Sequence, residues 1–150
     1  MTSVLAAIRP DSWNVPLLLH VTGAAVLVGA VATGVTAALV ADRTAEPDFV
    51  RRLAFRSFLL IGLPAWFLMR GGAEWIRSKE FGDAADEPAW IGIGYITSEL
   101  GGLLFLVALI MAGIASGRSR PGLGKASGAL AAVALVAWLV AVWAMGAKPD

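Results

Sequence analysis

The chain contains no cysteine and only one histidine, His20, among its 150 residues. The lack of cysteine excludes thiol–disulfide chemistry, cysteine-ligated zinc and iron–sulfur clusters. It also excludes the quinone-linked disulfide oxidoreductases, which are four-helix membrane bundles that need cysteine pairs. With a single histidine, a metal site built mainly of imidazoles cannot form within one chain.

Charge is also scarce. Only 15% of the residues are charged, against roughly 25% in soluble domains. The net charge of +1 gives no strong field, so no nucleic-acid partner is expected. In contrast, 58% of the residues are hydrophobic, and a soluble domain of this length has too little interior to bury them. The expected surroundings are therefore a lipid bilayer.

Four apolar runs are long enough to cross the hydrocarbon core, which takes roughly 20 residues. They predict spans over residues 13–40, 55–76, 89–115 and 126–145. The chain, residues 1–150, is thus predicted to be a single all-α domain, a four-helix transmembrane bundle with up-down-up-down topology. Pro64, in the middle of the second span, predicts a kink there.

Basic residues indicate the orientation of these spans. The first connection carries three arginines, and the third carries Arg118, Arg120 and Lys125 without any acid. By the positive-inside rule both connections face the cytoplasm, so both termini lie outside the cytoplasm and the chain is a multi-pass protein of the inner (plasma) membrane. One tryptophan stands at the predicted outer end of each span, as in an interfacial aromatic belt: Trp13, Trp75, Trp90 and Trp143.

Ionisable groups inside a membrane are costly and are functional candidates for that reason. With a rise of 1.5 Å per residue, His20, Arg70, Tyr95 and Glu99 fall roughly 7–14 Å below the tryptophans of their own spans. They come from three spans but share the outer half of the bilayer. We therefore predict a polar pocket there, with these four side chains as the candidate site.

The chemistry of this set leaves alternatives open. Glu99 must pair with a cation or stay protonated, and Arg70 matches it in geometry. Glu74, one turn after Arg70, is a rival partner in an ion-pair or proton site. His20 is able to ligate a metal, donate to Glu99 or bind a quinone carbonyl. The structural alternatives are an Arg70–Glu99 clamp and a histidine satisfied by a backbone carbonyl.

Residues 19–29 of the first span read Leu-His-Val-Thr-Gly-Ala-Ala-Val-Leu-Val-Gly. This stretch resembles the opening helix of bacterial integral membrane proteins of unknown function related to the copper-resistance D type. Membrane histidines of that group are suspected of binding haem or copper, so the resemblance implies His20 as a ligand of haem b or a metal. With one histidine, only a five-coordinate, a dimer-shared or a His–Met haem remains, the last using Met69 or Met145.

Three functions follow from these observations. The first is a membrane subunit or scaffold, and the second is a redox protein that binds haem b or a quinone through His20, Arg70, Tyr95 and Glu99. The third is a small ion or proton-coupled transporter that uses Glu99. No nucleophile–base arrangement indicates an enzyme. The expected partner is a second copy, through Gly113 and Gly117, or another membrane protein.

Overall fold

A computed structural model of the chain describes residues 11–82, 88–118 and 120–148. The regular structure in these ranges is all helical, as predicted, and contains no strand. Four of the helices are long and apolar enough to cross a membrane. They are α1 (Asn14–Val40), α2 (Pro47–Glu80), α3 (Ala89–Arg118) and α4 (Pro121–Ala147).

Helix α2 extends beyond the predicted span 55–76 at both ends. It begins at Pro47, a residue whose missing N–H costs nothing in a first turn, and Asp48 adds a favourable charge at this end. Hydropathy alone missed these turns because they carry arginines. The helix ends after Glu80, where Gly82 takes a positive φ of 55° that glycine adopts without strain.

The predicted irregularity near Pro64 takes the form of a π-helical turn over Ser57–Gly62, just before the proline. Within this turn the Leu63 N–H donates to the Phe58 carbonyl, five residues back. Pro64 has no N–H to continue an α-helical ladder, and its ring would clash with the carbonyl four residues back. A wider turn relieves both problems, and such turns interrupt α-helices as single units.

Helix α1 packs against α2 and α4, and α3 packs along α4. The core at their centre is aromatic: Phe58 and Phe105 meet edge to face at 5.8 Å, and Phe105 lies 5.6 Å from Trp138. In a bilayer, whose lipid tails are as apolar as these side chains, close packing rather than removal from water would hold such a bundle together.

Small residues permit this close packing. A Cβ atom added at Gly23 would lie 2.5 Å from the backbone nitrogen of Met69, and one at Gly72 would lie 2.6 Å from the backbone nitrogen of His20. The backbones of α1 and α2 are therefore in direct contact along this seam. Gly113 also faces its own bundle, since a Cβ there would meet the Phe55 ring at 3.1 Å, whereas Gly117 has open space around it.

The bundle has two ends, which we name after one residue of each. At the Arg51 end, residues of all four helices meet around Ala38, Arg51, Ala115 and Gly124. Arg51 is 8% exposed and pairs with Asp42 just after α1 and, at 2.7 Å, with Asp48. At the His20 end, residues of all four helices meet around Leu17, Ile76, Trp90 and Met145.

Candidate functional site

A cavity of about 210 Å³ opens at the His20 end. Its lining comes from every helix and is mostly apolar or aromatic, and includes Leu17, His20, Ile76, Trp90, Tyr95 and Met145. Two smaller cavities, of about 40 and 20 Å³, share His20 and Met145 with it and reach Ser98 in α3. His20 thus stands where the three spaces meet.

The His20 ring is oriented by a backbone group. Its Nδ1 lies 2.9 Å from the carbonyl oxygen of Met69 in α2. A carbonyl oxygen only accepts hydrogen bonds, so Nδ1 must carry the proton and donate it. With Nδ1 engaged, Nε2 is the ring nitrogen left to bond a ligand, and in a neutral imidazole it carries a lone pair. Met69 lies inside α2, on the seam where the backbones of α1 and α2 touch at Gly23 and Gly72.

The seam between α2 and α3 differs from the other seams of the bundle. At the Arg51 end the two helices are close, through Pro47–Arg56, but along Leu63–Glu80 their backbones separate. Side chains bridge the gap instead. The Trp66 ring reaches the backbone of Gly102, where an added Cβ would lie 2.9 Å from it. The cavity therefore has a side wall made of side chains rather than of packed helices.

Arg70 is the main bridge across this seam. Its Nε donates to Glu99 at 2.7 Å, its second guanidinium nitrogen lies 2.6 Å from the same carboxylate, and it also pairs with Glu74 on its own helix. The guanidinium carbon lies 4.7 Å from the centre of the Tyr95 ring, within the range of a cation–π contact. We call Arg70, Glu74 and Glu99 the ion cluster.

The ion cluster faces outward. The Glu99 side chain is 54% exposed and that of Glu74 is 46% exposed, against 25% for Arg70. Exposed apolar neighbours surround it, with Phe67 at 61% and Ile96 at 71%. Two carboxylates therefore share one guanidinium on the outer surface of the helices, among side chains of the kind that face lipid.

The structure thus separates the four predicted site residues into two groups. His20 and the Tyr95 ring line the cavity, and Arg70 reaches the smallest space beside them. Glu99 lies on the outer surface, across the seam from Arg70. The Tyr95 hydroxyl is buried and has no hydrogen-bond partner within the described residues.

Several lining residues were absent from the predicted site, namely Arg77, Phe81 and Trp90. The sequence places Trp90 only in the aromatic belt, and Arg77 falls just beyond the predicted second span, 55–76. Their position along the helices, level with the first turns of α1, is the one feature of the sequence that could have indicated them. Position along a helix does not distinguish a residue that lines a cavity from one that contacts lipid. Arg51 was likewise read only as a basic residue of a connection.

The cavities lined by His20 are small for haem b. Pockets that enclose drug-sized ligands have roughly 300–1,000 Å³, and the largest space lined by His20 has about 210 Å³. Met145 lines all three cavities with His20, and Met69 lines the two smaller ones while its carbonyl oxygen accepts from the His20 ring. Within the described residues, no group of three or more His, Asp or Glu side chains is arranged to hold a metal ion.

Comparison of the chain with models of protein families, with curated proteins and with solved structures gives no match.

Proposed function

We propose that the protein is a multi-pass subunit of the plasma membrane that binds a transmembrane helix of another protein along the α2/α3 seam. The bound helix carries a basic side chain at the depth of Glu99. The observation that carries this proposal is the outward-facing ion cluster, with its two carboxylates and one guanidinium.

The depth of the cluster is the first step. Glu99 lies ten residues into α3, or roughly 15 Å along the helix from Ala89. Arg70 lies fourteen residues, or roughly 21 Å, beyond Arg56 on α2. With the arginines at one surface and the tryptophans at the other, Arg70 and Glu99 fall within the hydrocarbon, whereas Glu74, one residue before Trp75, lies near the interface. Charged groups at such depths usually face a bundle interior or a water-filled space, so an outward-facing cluster needs a cover.

The charge of the cluster favours the chemistry of that cover. Within the cluster one guanidinium meets two carboxylates, so the cluster by itself is acidic, and the Arg77 guanidinium lies 5.7 Å from the centre of the neighbouring Tyr95 ring. A second copy bound through the same surface would bring another such acidic cluster to the interface. A helix with a lysine or arginine would instead complete the pairing, at about 1 kcal/mol for a polar contact between membrane helices.

The surface beside the cluster suits a helix. Gly71 and Gly92 are exposed on α2 and α3, and a Cβ at either would meet no atom within 4 Å. Exposed glycines let a neighbouring helix come close. The placement of Glu99 also gives less support to the transporter hypothesis, because Glu99 lines none of the three cavities that His20 lines.

Designed transmembrane peptides test the proposal. Two leucine-rich helices of about 25 residues would carry lysine or glutamine at the depth of Glu99, and energy transfer to the labelled protein in lipid vesicles would report binding. We expect the lysine peptide to bind roughly threefold to twentyfold more tightly. Glu99→Gln should remove this preference, and Glu80→Gln, near the helix end, should keep it. Equal binding of both peptides to the unaltered protein would refute the proposal.

The orientation belongs to the same proposal: up-down-up-down topology with both termini outside the cytoplasm. Its support is the excess of Arg and Lys in the first and third connections. The absence of cysteine makes it simple to test, because a single introduced cysteine is the only target of a membrane-impermeant maleimide. In intact cells we expect labelling of Lys79→Cys and none of Thr44→Cys. Labelling of Thr44→Cys but not of Lys79→Cys would show the opposite orientation.

A further inference from the structure

We infer that the cavity at the His20 end binds the ring of a phenolic amphiphile, whose hydroxyl donates to Nε2 of His20. The ring would lie inside the bundle, whereas the helix-binding surface proposed above lies on its outer face; both border the α2/α3 seam. The inference covers phenols and quinols alike, because both present a hydroxyl on an aromatic ring that can carry an apolar tail.

The hydrogen-bonding arrangement of the His20 ring favours a ligand with a hydroxyl group. The Met69 carbonyl accepts a hydrogen bond from Nδ1, with 2.9 Å between the two atoms, so in a neutral imidazole Nε2 is the acceptor. A quinone carbonyl is also an acceptor and would face this lone pair without a proton between them. A phenol or quinol hydroxyl donates and forms the bond directly. The predicted contact with a quinone carbonyl is thus replaced by one with its reduced, hydroxyl-bearing form.

The walls of the cavity select an aromatic ring. Phe81, Trp90 and Tyr95 line it, together with apolar groups such as Ile91 and Met145. Aromatic pairs gain about 0.5–1.5 kcal/mol beyond the area they bury, and aliphatic alcohols lack this gain. The volume of about 210 Å³ holds one ring but no extended ligand.

The tail has a route to the lipid. The α2 and α3 backbones separate along Leu63–Glu80, so this seam is closed by side chains only. Ala73, a small residue of α2, lies on the cavity wall at this point. An apolar tail can pass between α2 and α3 into the hydrocarbon while the ring stays beside His20. Entry from the side also brings a ligand to the cavity from the membrane, where such amphiphiles accumulate.

Two probes that differ by one proton donor test the inference: 4-decylphenol and its methyl ether, 4-decylanisole. Binding would be measured by titration calorimetry on the protein in lipid nanodiscs, with empty nanodiscs subtracted for partitioning. We expect the phenol to bind roughly two- to tenfold more tightly than the ether, the value of one hydrogen bond. Equal affinities for the unaltered protein would overturn the inference, whatever the variants show.

Variants then locate the site. His20→Leu should remove the preference for the phenol, because leucine has no acceptor, and Ala73→Phe should weaken both probes by filling the cavity. Leu18→Ala, a change on α1 at a side chain 65% exposed, should leave both affinities unchanged. If His20→Leu folds and keeps the preference, the hydroxyl binds elsewhere and the assignment to His20 is wrong. If His20→Leu does not fold, Ala73→Phe is the deciding variant: affinities for both probes that match those of the unaltered protein would place their binding outside this cavity.

Discussion

Two arginines of α2, Arg51 and Arg70, each pair with two carboxylates, but at opposite ends of the bundle. The side chain of Arg51 is 9% exposed, and Lys125 joins its group through Asp42 at 3.0 Å. Two cations there meet two anions, and the group is balanced. The side chain of Arg70 is 25% exposed, and in its group one guanidinium meets two carboxylates, with the Arg77 guanidinium 5.7 Å from the Tyr95 ring that Arg70 also contacts.

The difference indicates different roles for similar contacts. The Arg51 group joins α2 to the end of α1 and the start of α4, where backbones are already close. It fixes helix ends. The Arg70 group spans the one seam whose backbones separate, and its carboxylates face outward. Such a group contributes less to the stability of the fold, and its exposed carboxylates remain accessible to a binding partner.

Arg51→Ala should therefore have the largest effect on stability. It removes a buried guanidinium that joins Asp42 and Asp48, and we expect its loss to exceed that of the more exposed pairs described below. The free energy of unfolding would be measured by titration with dodecyl sulfate, with helicity as the signal. Arg52→Ala, the exposed neighbour, should stay within about 0.5 kcal/mol. Equal losses in the two variants would contradict the role of Arg51 as a clamp.

Arg70→Ala should cost less, about 1 kcal/mol. Polar contacts between membrane helices average about 0.6 kcal/mol and rarely exceed about 1.7 kcal/mol. A double-mutant cycle with Glu99→Ala in the same assay isolates the bond across the seam. A coupling as large as the loss from Arg51→Ala would remove the contrast between the two ends.

Ser127→Ala should have a smaller effect again. Ser127 of α4 is fully buried, and its hydroxyl donates to the Ala108 carbonyl of α3 at 2.7 Å. Loss of this bond between helices should cost about 0.6 kcal/mol in the unfolding titration. Ser116→Ala is the matched control, because the Ser116 hydroxyl donates to Gly113 within its own helix. A larger loss from Ser116→Ala would show that the contact between the helices is not what counts.

Glu99→Gln should have the smallest effect on the fold. The side chain is 54% exposed, and glutamine keeps an oxygen that can accept from Arg70. We expect a change within about 0.5 kcal/mol, together with the lost preference for the lysine peptide. A large loss of stability with unchanged peptide binding would make the ion cluster a second clamp.

The sequence predicts the four helices well because each apolar run is long and the connections are short. It also brings His20, Arg70, Tyr95 and Glu99 to similar depths, since the helical rise is constant. What it leaves open is the rotation of each helix. Helix α3 is apolar on its outward and inward sides alike, as shown by exposed Ile96 and buried Phe105, so no amphipathic pattern shows where Glu99 points.

Arg51 illustrates the other limit. In a short connection its charge reads only as a topology signal, and the same charge becomes a buried clamp once Pro47 starts a helix there. Its spacing of three residues from Asp48 is the one local sign of a pair. The contact with Asp42 depends on how the chain returns from α1, which no local pattern encodes.

The π-helical turn of α2 also fixes an angle. An α-helix turns by roughly 100° per residue, and a π turn accommodates one residue more than an α turn. Ser57, at its start, donates to the Ala30 carbonyl of α1 at 2.8 Å, while Arg70 beyond it points to α3. Removing one residue from the turn, such as the lipid-facing Leu60, would restore a regular helix and swing Arg70 around the axis. The direction in which the Arg70 side chain points, and with it the position of the ion cluster, thus depends on the number of residues in this one turn.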